Sequence, residues 1–414
     1  MRFLISAGEA SGDTYGAQLI EALRGLAPDS RFFGMGGEKM RASGAELLVH
    51  AHDVAVVGLV EVLTHLPGIR RRFKHLVAEA ARRKPDAAIL IDFPDFNLRL
   101  ARELHRLGVP VFYFVSPQIW AWRTGRVQQI RKYVRKMIVI FPFEQEFYAR
   151  HGVEVSYVGH PLAYEPQPQI SREEFAAKHG LDPLKQWIAL LPGSRRKEVR
   201  LNLPAMVEAG RLLQKQNSEF EFLLPIASTL SEDWLRGQLD AQGLELGYIK
   251  TRNVATHGRY FVELKYGNPK RAGIRRSHQI NLTDNARATL MHARAAVVAS
   301  GTATVEAVLS GTPFIVVYRL AALTWLLGRR LVKLDTFAMP NLIAGKKIVP
   351  ELIQKAFTAQ NVFKELNKII PEGPARQQME ADLKMVQQRL HDSPDAEAPA
   401  QRAAREILGA LRPA

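Results

Sequence analysis

Short apolar runs alternate with longer amphipathic runs along residues 1–160. Apolar residues at helical spacing predict helices over Tyr15–Leu26 and Phe96–Leu107. The continuous apolar runs predict strands that are buried on both faces, as in a parallel sheet between two layers of helices. These strands are Arg2–Ala7, Arg31–Met35, Ala87–Asp92, Val109–Val115 and Lys136–Phe141. This part of the chain is therefore predicted to be a doubly wound α/β domain.

The same alternation begins again after a stretch that is typical of a linker, Glu165-Pro166-Gln167-Pro168. The second set of predicted strands is Trp187–Leu191, Glu221–Pro225, Ala295–Ala299 and Pro313–Tyr318. Two polar helices are predicted to follow, Ala375–His391 and Ala400–Leu411. We therefore predict two Rossmann-like, doubly wound α/β domains, residues 1–162 and 163–370, that face a ligand-binding cleft. The helices of residues 371–414 are expected to pack back on the first domain.

Composition narrows the class of protein. The 414 residues include no cysteine, which excludes a disulfide framework and thiolate metal sites. The chain has 57 Lys and Arg against 41 Asp and Glu, a net charge of +16, which favours nucleic acid, a membrane surface or a phosphorylated substrate as partner. No apolar run reaches the roughly 18 residues of a transmembrane helix, and the N-terminus is unlike a signal peptide. We therefore expect a cytoplasmic chain.

The basic residues are unevenly distributed. The segment Lys250–Arg276 contains eight Lys and Arg against one acid, and we predict a basic surface insertion there. The chain lacks the basic-helix, zinc and RNA-binding patterns of nucleic-acid-binding proteins. The net charge is therefore the only feature that suggests a nucleic-acid partner, and we do not expect the protein to bind nucleic acid.

Two loops of the first domain, each directly after a predicted strand, carry carboxylates. Small residues in Gly8-Glu9-Ala10-Ser11-Gly12-Asp13 let a ligand approach the backbone, and the helix N-terminus that follows offers N–H groups to an anion. An ordinary turn capped by Ser11 or Asp13 is the alternative. Glu9 and Asp92 are both expected at the carboxyl edge of the sheet, facing a crevice. A carboxylate in an apolar crevice is a natural general base, which favours Asp92 for that role.

Further candidates follow Asp92 along the chain. Asp95 precedes a helical run and is either a helix cap or an acceptor ligand. Trp120 and Trp122, followed by Arg123 and Arg126, suit a sugar face or an acyl chain beside a phosphate. Packing of the tryptophans at a domain interface is the alternative.

The second domain repeats the design of a strand followed by a glycine loop. Arg195, in Gly193-Ser194-Arg195, is well placed for a diphosphate, although a solvated basic loop would have the same sequence. Ser300-Gly301-Thr302 opens a helix whose N-terminus can bind phosphate, with Glu306 one turn later within reach of a ribose. An ordinary capped helix is the alternative. We find no pattern for a metal ion and predict neither metal nor cofactor.

One predicted helix combines an apolar face with a basic cluster. The apolar positions are Leu59, Val62, Leu63 and Leu66, and the basic ones are Arg70, Arg71, Arg72 and Lys74. Such a helix suits a surface that inserts into an anionic membrane. A core helix with a solvated basic end is the alternative.

Together these motifs resemble the lipid-A-disaccharide synthase family, in order over most of residues 4–355. The matching segments are Ala7–Asp13, Val57-Gly58, Glu61–Leu63, Ile91–Asn97, Val115–Arg123, Pro142–Glu144, Val158–Pro161, Leu191–Arg195, Ser300–Glu306 and Pro340–Leu342. The resemblance implies a glycosyltransferase B fold, inversion at the anomeric carbon, no metal, and a peripheral position on the inner face of the inner membrane. Lys250–Arg276 and the tail beyond Ile370 depart from the family pattern.

The resemblance implies that 2,3-diacylglucosamine is transferred from UDP-2,3-diacylglucosamine to 2,3-diacylglucosamine 1-phosphate (lipid X). The products would be the β-1,6-linked disaccharide 1-phosphate and UDP. Asp92 matches the family's general base, and Arg195 and Asn341 match its other essential positions. Glu9 and Ser11 match the loop near the reacting groups. The expected donor side is Gly193, Ser194, Arg195, Ser300, Gly301, Thr302 and Glu306, and the expected acceptor side is Asp95, Asn97, Trp120, Trp122, Arg123 and Arg126.

Some alternatives stay open at this point. Another UDP-N-acetylglucosamine-type transferase, or a hydrolysing epimerase of the same fold, would turn over a donor without acyl chains. The expected partners are the two acylated sugars and an anionic membrane surface. The acyl-chain length and the oligomeric state, a homodimer included, are left open.

Overall fold

The structure is a computed structural model that describes residues 1–54, 59–122, 124–242, 248–249, 264–265, 280–319, 336–391 and 397–412. The chain divides into two compact units. Among the described residues, the first unit comprises 1–165 and 389–412, and the second comprises 166–319 and 336–388. The C-terminal segment predicted at 371–414 is thus divided: its described residues up to 388 belong to the second unit, and those from 389 to 412 belong to the first.

The first unit is built on a seven-stranded sheet in the order β3-β2-β1-β4-β5-β6-β7. All of its strand pairs are parallel. The strands are β1 (Arg2–Ala7), β2 (Arg31–Gly36), β3 (Ala45–His50), β4 (Ala87–Ile91), β5 (Val111–Phe114), β6 (Lys136–Val139) and β7 (Val155–Tyr157). Because β1 lies centrally and the strand order reverses beside it, the carboxyl ends of β1 and β4 meet at the switch point where α/β sheets bind ligands.

Helices cover both faces of this sheet. They are α1 (Ala10–Leu26), α2 (Glu38–Ala42), α3 (Leu59–Arg83), α4 (Pro94–Arg106), α5 (Ile119–Trp122), α6 (Val127–Tyr133), α7 (Pro142–Arg150), α8 (Pro161–Tyr164) and α17 (Pro399–Leu411). One core cluster joins the sheet to α3, α4 and α6 through residues such as Leu76, Leu104 and Ile130. The other joins it to α1 and α17, through Leu19 and Ile407. The continuous apolar strands are explained by burial on both sides.

The second unit has a six-stranded sheet in the order β12-β9-β8-β13-β14-β15, again with parallel pairs. Its strands are β8 (Gln186–Leu191), β9 (Phe220–Pro225), β12 (Ile280–Thr283), β13 (Ala295–Ala299), β14 (Phe314–Tyr318) and β15 (Glu351–Ile353). Its helices are α9 (Arg172–His179), α10 (Arg196–Gln216), α11 (Glu232–Asp240), α12 (Ala286–His292), α13 (Thr302–Ser310), α14 (Met339–Ala344), α15 (Ala359–Ile369) and α16 (Pro374–Leu390), whose last two residues belong to the first unit. The predicted fold class of two doubly wound α/β domains is confirmed.

The predicted elements differ from the structure in two respects. The stretch Gly8–Asp13, expected as a tight loop, is mostly helical, because α1 already begins at Ala10. Four strands of the two parallel sheets went unpredicted, and all four are edge strands: β3, β7, β12 and β15. An edge strand is covered less completely than a central one, so its sequence lacks the continuous apolar run that marks β1 or β4.

Two expectations concern the surface. Apart from β11 (Leu264–Lys265), which pairs antiparallel with β10 (Tyr248–Ile249), the predicted basic insertion Lys250–Arg276 lies outside the described residues. In the part of the chain that the structure describes, no helix combines the length and apolarity needed to cross a membrane.

Candidate active site

The first unit brings together two of the predicted loops. Strands β1 and β4 pair in register, with Ala7 opposite Ile91, so the residues that follow them are neighbours. A Cβ atom on Gly8 would overlap the ring of Phe93, so only glycine lets these two loops approach so closely. Glu9 is therefore held beside the corner that contains Asp92.

The corner at Asp92 has an unusual backbone. Asp92 and Phe93 have φ of +44° and +48°, and Val115, at the end of the neighbouring β5, has φ of +62°. Non-glycine residues rarely adopt these angles, and each costs about 1–3 kcal/mol unless the surroundings compensate. Strain of this kind concentrates at functional sites, so its presence at two adjacent strand ends marks this edge of the sheet.

A buried hydrogen-bond network holds the corner. The Asn97 Nδ2 donates to the carbonyl oxygens of Asp92 and Ile91, at 2.8 and 3.1 Å, and its Oδ1 accepts from the Ser6 hydroxyl at 2.7 Å. The Tyr113 hydroxyl donates to the same Asp92 carbonyl at 2.6 Å. The sequence had led us to expect Asn97 on the acceptor side. Asn97 is completely buried, so in this structure it positions Asp92. Tyr113 was not predicted as a site residue.

Asp13 does not cap α1. Its carboxylate accepts from the backbone N–H groups of Gly37, Lys39 and Met40, at 2.7, 3.1 and 3.2 Å, and so caps α2. Glu9 occupies the N-cap position of α1 without a capping side-chain bond, and Ser11 is exposed in the first turn. The helix N-terminus beside Asp92 is thus not closed by its predicted caps, which leaves the ligand-binding interpretation of this loop in place.

The structure pairs two of the predicted acceptor residues. Arg126 forms an ion pair with Asp95, which is the second residue of α4. The N-cap of α4 is Phe93, so Asp95 is not the cap. The side chain of Trp122 and the whole of Arg123 lie outside the described residues.

Trp120 packs inside the first unit. Its indole Nε1 donates to Glu144 Oε1 at 3.1 Å, and its ring meets Phe143 edge-on. Glu144 is 1% exposed, and burial raises the pKa of its carboxyl group to about 8. Ser116 is bound in the same pocket by the Tyr148 hydroxyl at 2.8 Å. Trp120 is therefore anchored within its own unit, through a buried acid that we did not predict.

In the second unit, a carboxylate lies on the glycine loop after β8. Glu198 Oε2 accepts from the backbone N–H groups of Ser194 and Arg195, at 3.1 and 3.3 Å. Its Oε1 accepts from Arg195 Nη1 at 3.2 Å. Glu198 was not predicted as a site residue, although its position three residues into α10 is a capping signal.

The loop after β13 keeps an exposed helix N-terminus. Gly301 is the N-cap of α13 with φ of +152°, and a Cβ atom placed on it would meet nothing within 4 Å. Thr302 is exposed at the first helical position, and the Thr304 hydroxyl donates to the Gly301 carbonyl at 2.7 Å. Glu306 lies half-buried one turn later. This geometry would allow phosphate to bind at the turn, which stays a prediction.

Asn341 is buried in the second unit. Its Nδ2 donates to the Val349 carbonyl at 3.0 Å and to Glu351 Oε1 at 2.6 Å, and its Oδ1 accepts from the N–H groups of Ile348 and Val349. Asn341, which we expected among the essential residues, therefore positions the segment around it. Among the described residues, no group of three or more His, Asp and Glu side chains is arranged to hold a metal ion.

For helix α3, the sequence left open a membrane-binding surface and a core helix with a solvated basic end, and the structure has features of both. Leu76 is buried in the core, and Ile69 and Phe73 pack against it. Arg72 forms an ion pair with Asp53 at 3.1 Å and is half-buried, whereas Arg70, Arg71 and Lys74 are exposed. Leu66 is exposed too; the side chains of Leu59, Val62 and Leu63 lie outside the described residues.

Two arginines in the last turn of α3 are also paired. Arg82 binds Glu79, and Arg83 binds both Glu46 and Glu79, at 2.6–2.7 Å. Their charges are therefore largely neutralised within the unit.

The fold defines the class of protein. The chain is similar to the calicheamicin glycosyltransferase CalG4, with a TM-score of 0.56 and 15% identity over 99% of this chain and 98% of the other. It is equally similar to a UDP-GlcNAc 2-epimerase from Neisseria meningitidis, solved with UDP-GlcNAc bound, with a TM-score of 0.56 and 11% identity over 99% of both chains. The fold is therefore that of the glycosyltransferase B class, which includes transferases and epimerases.

Sequence similarity identifies the family within this class. The family described as lipid-A-disaccharide synthetase matches residues 3–257 and 266–405. A lipid-A-disaccharide synthase of Koribacter versatilis is 50% identical over 99% of this chain and 98% of its own length. One from Acidobacterium capsulatum is 50% identical over 93% and 91%. The chain belongs to the lipid-A-disaccharide synthase family.

Proposed function

We propose that this protein transfers 2,3-diacylglucosamine from UDP-2,3-diacylglucosamine to 2,3-diacylglucosamine 1-phosphate, and so forms the lipid A disaccharide 1-phosphate and UDP. Membership of the synthase family supports this reaction, and the identity of 50% to synthases weighs against the epimerases, which are similar in fold alone. The observation that carries the mechanism is the strained corner at Asp92, held beside the Gly8-Glu9 loop by buried hydrogen bonds.

In the proposed mechanism, the Asp92 carboxylate accepts the proton of the acceptor's 6-hydroxyl group as its oxygen attacks the anomeric carbon of the donor. The bond from that carbon to the diphosphate breaks in the same step, which inverts the anomeric configuration. A backbone fixed by Asn97 and Tyr113 aims the carboxylate at one place before substrate arrives, which lowers the cost of reaching the reactive geometry.

The second unit acts on the leaving group. Negative charge develops on UDP as the glycosidic bond breaks, and Arg195 together with the N-terminus of α13 at Gly301 and Thr302 would stabilise it. The Arg126–Asp95 pair would serve the acceptor phosphate, with the arginine binding and the acid orienting it.

We also propose that the enzyme docks on the inner face of the inner membrane through α3. Three exposed basic residues, Arg70, Arg71 and Lys74, adjoin the exposed Leu66 on this helix. Basic residues near an anionic leaflet contribute about 1 kcal/mol each, which supports reversible docking.

The test is UDP release by the purified protein. We expect release only when the acylated donor and the acylated monosaccharide phosphate are both present. Release without acceptor would indicate a hydrolase. Turnover of plain UDP-N-acetylglucosamine at a comparable rate would indicate another transferase or an epimerase, and would overturn the proposal.

A further inference from the structure

One carboxylate occupies the hydrogen-bond donors of the loop after β8. Two backbone N–H groups and one guanidinium N–H, from Ser194 and Arg195, converge on Glu198 at 3.1–3.3 Å. These are the donors that a phosphate group of the donor substrate would use, because phosphate and carboxylate oxygens accept the same charge-assisted hydrogen bonds. An anion of the protein's own thus lies where an anionic ligand is expected.

The backbone of the loop is shaped around this carboxylate. Gly193 has φ of +124°, and a Cβ atom there would lie 2.6 Å from Glu198 Oε2. Glycine at this position is therefore required both by the backbone angle and by the approach of the acid. Tyr318, at the end of β14, also lies near both residues: burial raises the pKa of its hydroxyl group, Glu198 raises it further, and Arg195 lowers it.

We propose that Glu198 is the resting counter-anion of the donor-phosphate loop: it occupies the loop when no substrate is bound, gives way to the diphosphate of the UDP-sugar, and returns as UDP leaves. This inference rests on the proposed function, which assigns the loop to the donor. A carboxylate and a phosphate within a few ångströms repel each other, so the two cannot share these donors at full occupancy.

A simple helix cap would not need all of these contacts. In the capping box of α9, Glu174 accepts from the Ser171 N–H at 2.9 Å, and the Ser171 hydroxyl bonds the N–H of Glu174 in return. At α10 the N-cap residue is Arg195, which has no oxygen in its side chain and instead directs its charge at the acid. Glu198 is exposed enough to move, since 31% of its side-chain surface is accessible.

The mobile anion has a kinetic consequence. Substrate must displace Glu198, so UDP binds less tightly than the loop alone would permit. Departure of UDP is assisted, because the carboxylate re-forms the hydrogen bonds that the phosphate gives up. Glu198 thus lowers the affinity for the UDP-sugar and speeds the release of UDP.

The experiment measures UDP binding by titration calorimetry and UDP dissociation by stopped flow, on the full chain. Glu198→Gln keeps the size of the side chain and an oxygen acceptor for the cap but removes the competing charge. We expect UDP to bind about five- to tenfold more tightly and to dissociate correspondingly more slowly, the scale of one charged hydrogen bond. The matched control is Glu174→Gln at the capping box of α9, which should leave UDP binding unchanged.

A second variant keeps the inference testable if Glu198→Gln does not fold. Glu198→Asp keeps the charge and an acid in the first helical turn but shortens the side chain, so it should tighten UDP binding by less than Glu198→Gln. Unchanged UDP affinity in both variants would overturn the inference, and weaker affinity would show that Glu198 orients Arg195 for the ligand. A wild-type chain that binds no UDP would overturn the proposed function together with this inference, whereas wild-type binding that Glu198 does not affect overturns this inference alone.

Discussion

The two units hold their site loops by different means. In the first unit, neutral groups that are buried or nearly so, Asn97, Tyr113 and Ser6, bind the backbone around Asp92. In the second unit, a partly exposed ion pair between Arg195 and Glu198 organises the loop after β8. One loop is held by hydrogen bonds from buried side chains, and the other by charges that a ligand can replace.

This difference suits the proposed division of work. A general base must be aimed before the reaction, and buried neutral hydrogen bonds provide a rigid mount because an unmade bond there costs the full desolvation penalty. A loop that binds and releases UDP in every cycle is better held by partners that exchange. The predictions below test whether the first unit is as rigid, and as specialised, as this comparison holds.

The largest effect is expected for Asp92→Asn. The amide cannot accept the proton of the acceptor hydroxyl, so kcat should fall by about 10²–10⁴-fold while UDP affinity stays within a few fold. UDP release with both acylated substrates measures the first quantity and calorimetry the second. The matched control is Asp86→Asn, at the amino end of the same strand, where the carboxylate binds the Arg2 N–H. Substantial residual turnover would remove Asp92 from the role of base.

Next in size is the membrane contact. Replacing Arg70, Arg71 and Lys74 by Gln should weaken binding to anionic vesicles by up to about a hundredfold at low salt, and much less at high salt. Sedimentation with phosphatidylglycerol vesicles measures this. A control of equal charge replaces the exposed Lys355, Lys364 and Lys384 of the second unit. If both triple variants lose the same affinity, docking depends on net charge and not on α3.

A smaller effect is expected for Asn97→Ala. Loss of the amide removes its hydrogen bonds to the Asp92 and Ile91 carbonyls and should cost about 1–3 kcal/mol of stability. Because the strained corner then relaxes, kcat should fall about tenfold with UDP affinity unchanged. Asn367→Ala, which removes a bond to the Phe363 carbonyl on α15, is the control. A loss of stability without a loss of kcat would mean that Asn97 supports the fold but not the base.

The last prediction concerns the pH dependence of stability. Burial holds the pKa of Glu144 at about 8, above its ordinary 4.5, so between these values the folded chain keeps a proton that the unfolded chain has released. Stability should therefore fall as the pH rises from about 5 to about 8. Glu144→Gln should remove this decline, as measured by the melting temperature across pH, while Glu146→Gln on the same helix should keep it.

A second buried group sets the acid side of this profile. Burial lowers the pKa of His160 to about 3 from its ordinary 6.5, so the unfolded chain binds a proton first and stability is lost as the pH falls below about 6.5. Both Gln variants should retain this acid decline. A Glu144→Gln protein that still loses stability between pH 5 and 8 would show that the alkaline decline has another source.

Most of the fold could be predicted because central parallel strands carry a signal of their own. The runs at Arg2–Ala7 and Ala295–Ala299 agree with the observed strands residue for residue, since burial on both faces favours apolar side chains along most of the strand. The edge strands β3, β7, β12 and β15 are only partly covered, and their mixed sequences resemble loops. What decides them is the neighbouring strand, which a local pattern does not contain.

The positions of the candidate site residues could be predicted to the extent that the ends of the strands could be predicted. In each unit, the topology places the residues that follow parallel strands at one edge of the sheet. The positions of Glu9 and Asp92 in the first unit, and of Arg195 and Gly301 in the second, therefore follow from the pattern of strands and loops. Whether a polar side chain faces the ligand or the protein does not follow from it. Asn97 and Asn341 lie in motifs of the family and are yet completely buried, each saturated by partners.

The sequence by itself thus determined the two parallel sheets, the family and the loops that we propose carry the chemistry, because periodicity and local motifs are properties of contiguous residues. The tertiary structure alone decided which polar groups these loops meet. Asp13 caps α2 and not its own helix, and Tyr113 and Asn97 fix the backbone of Asp92 from different elements. The physical reason is that a hydrogen bond depends on two groups meeting in space, and residues far apart in the chain meet only once the sheets have formed.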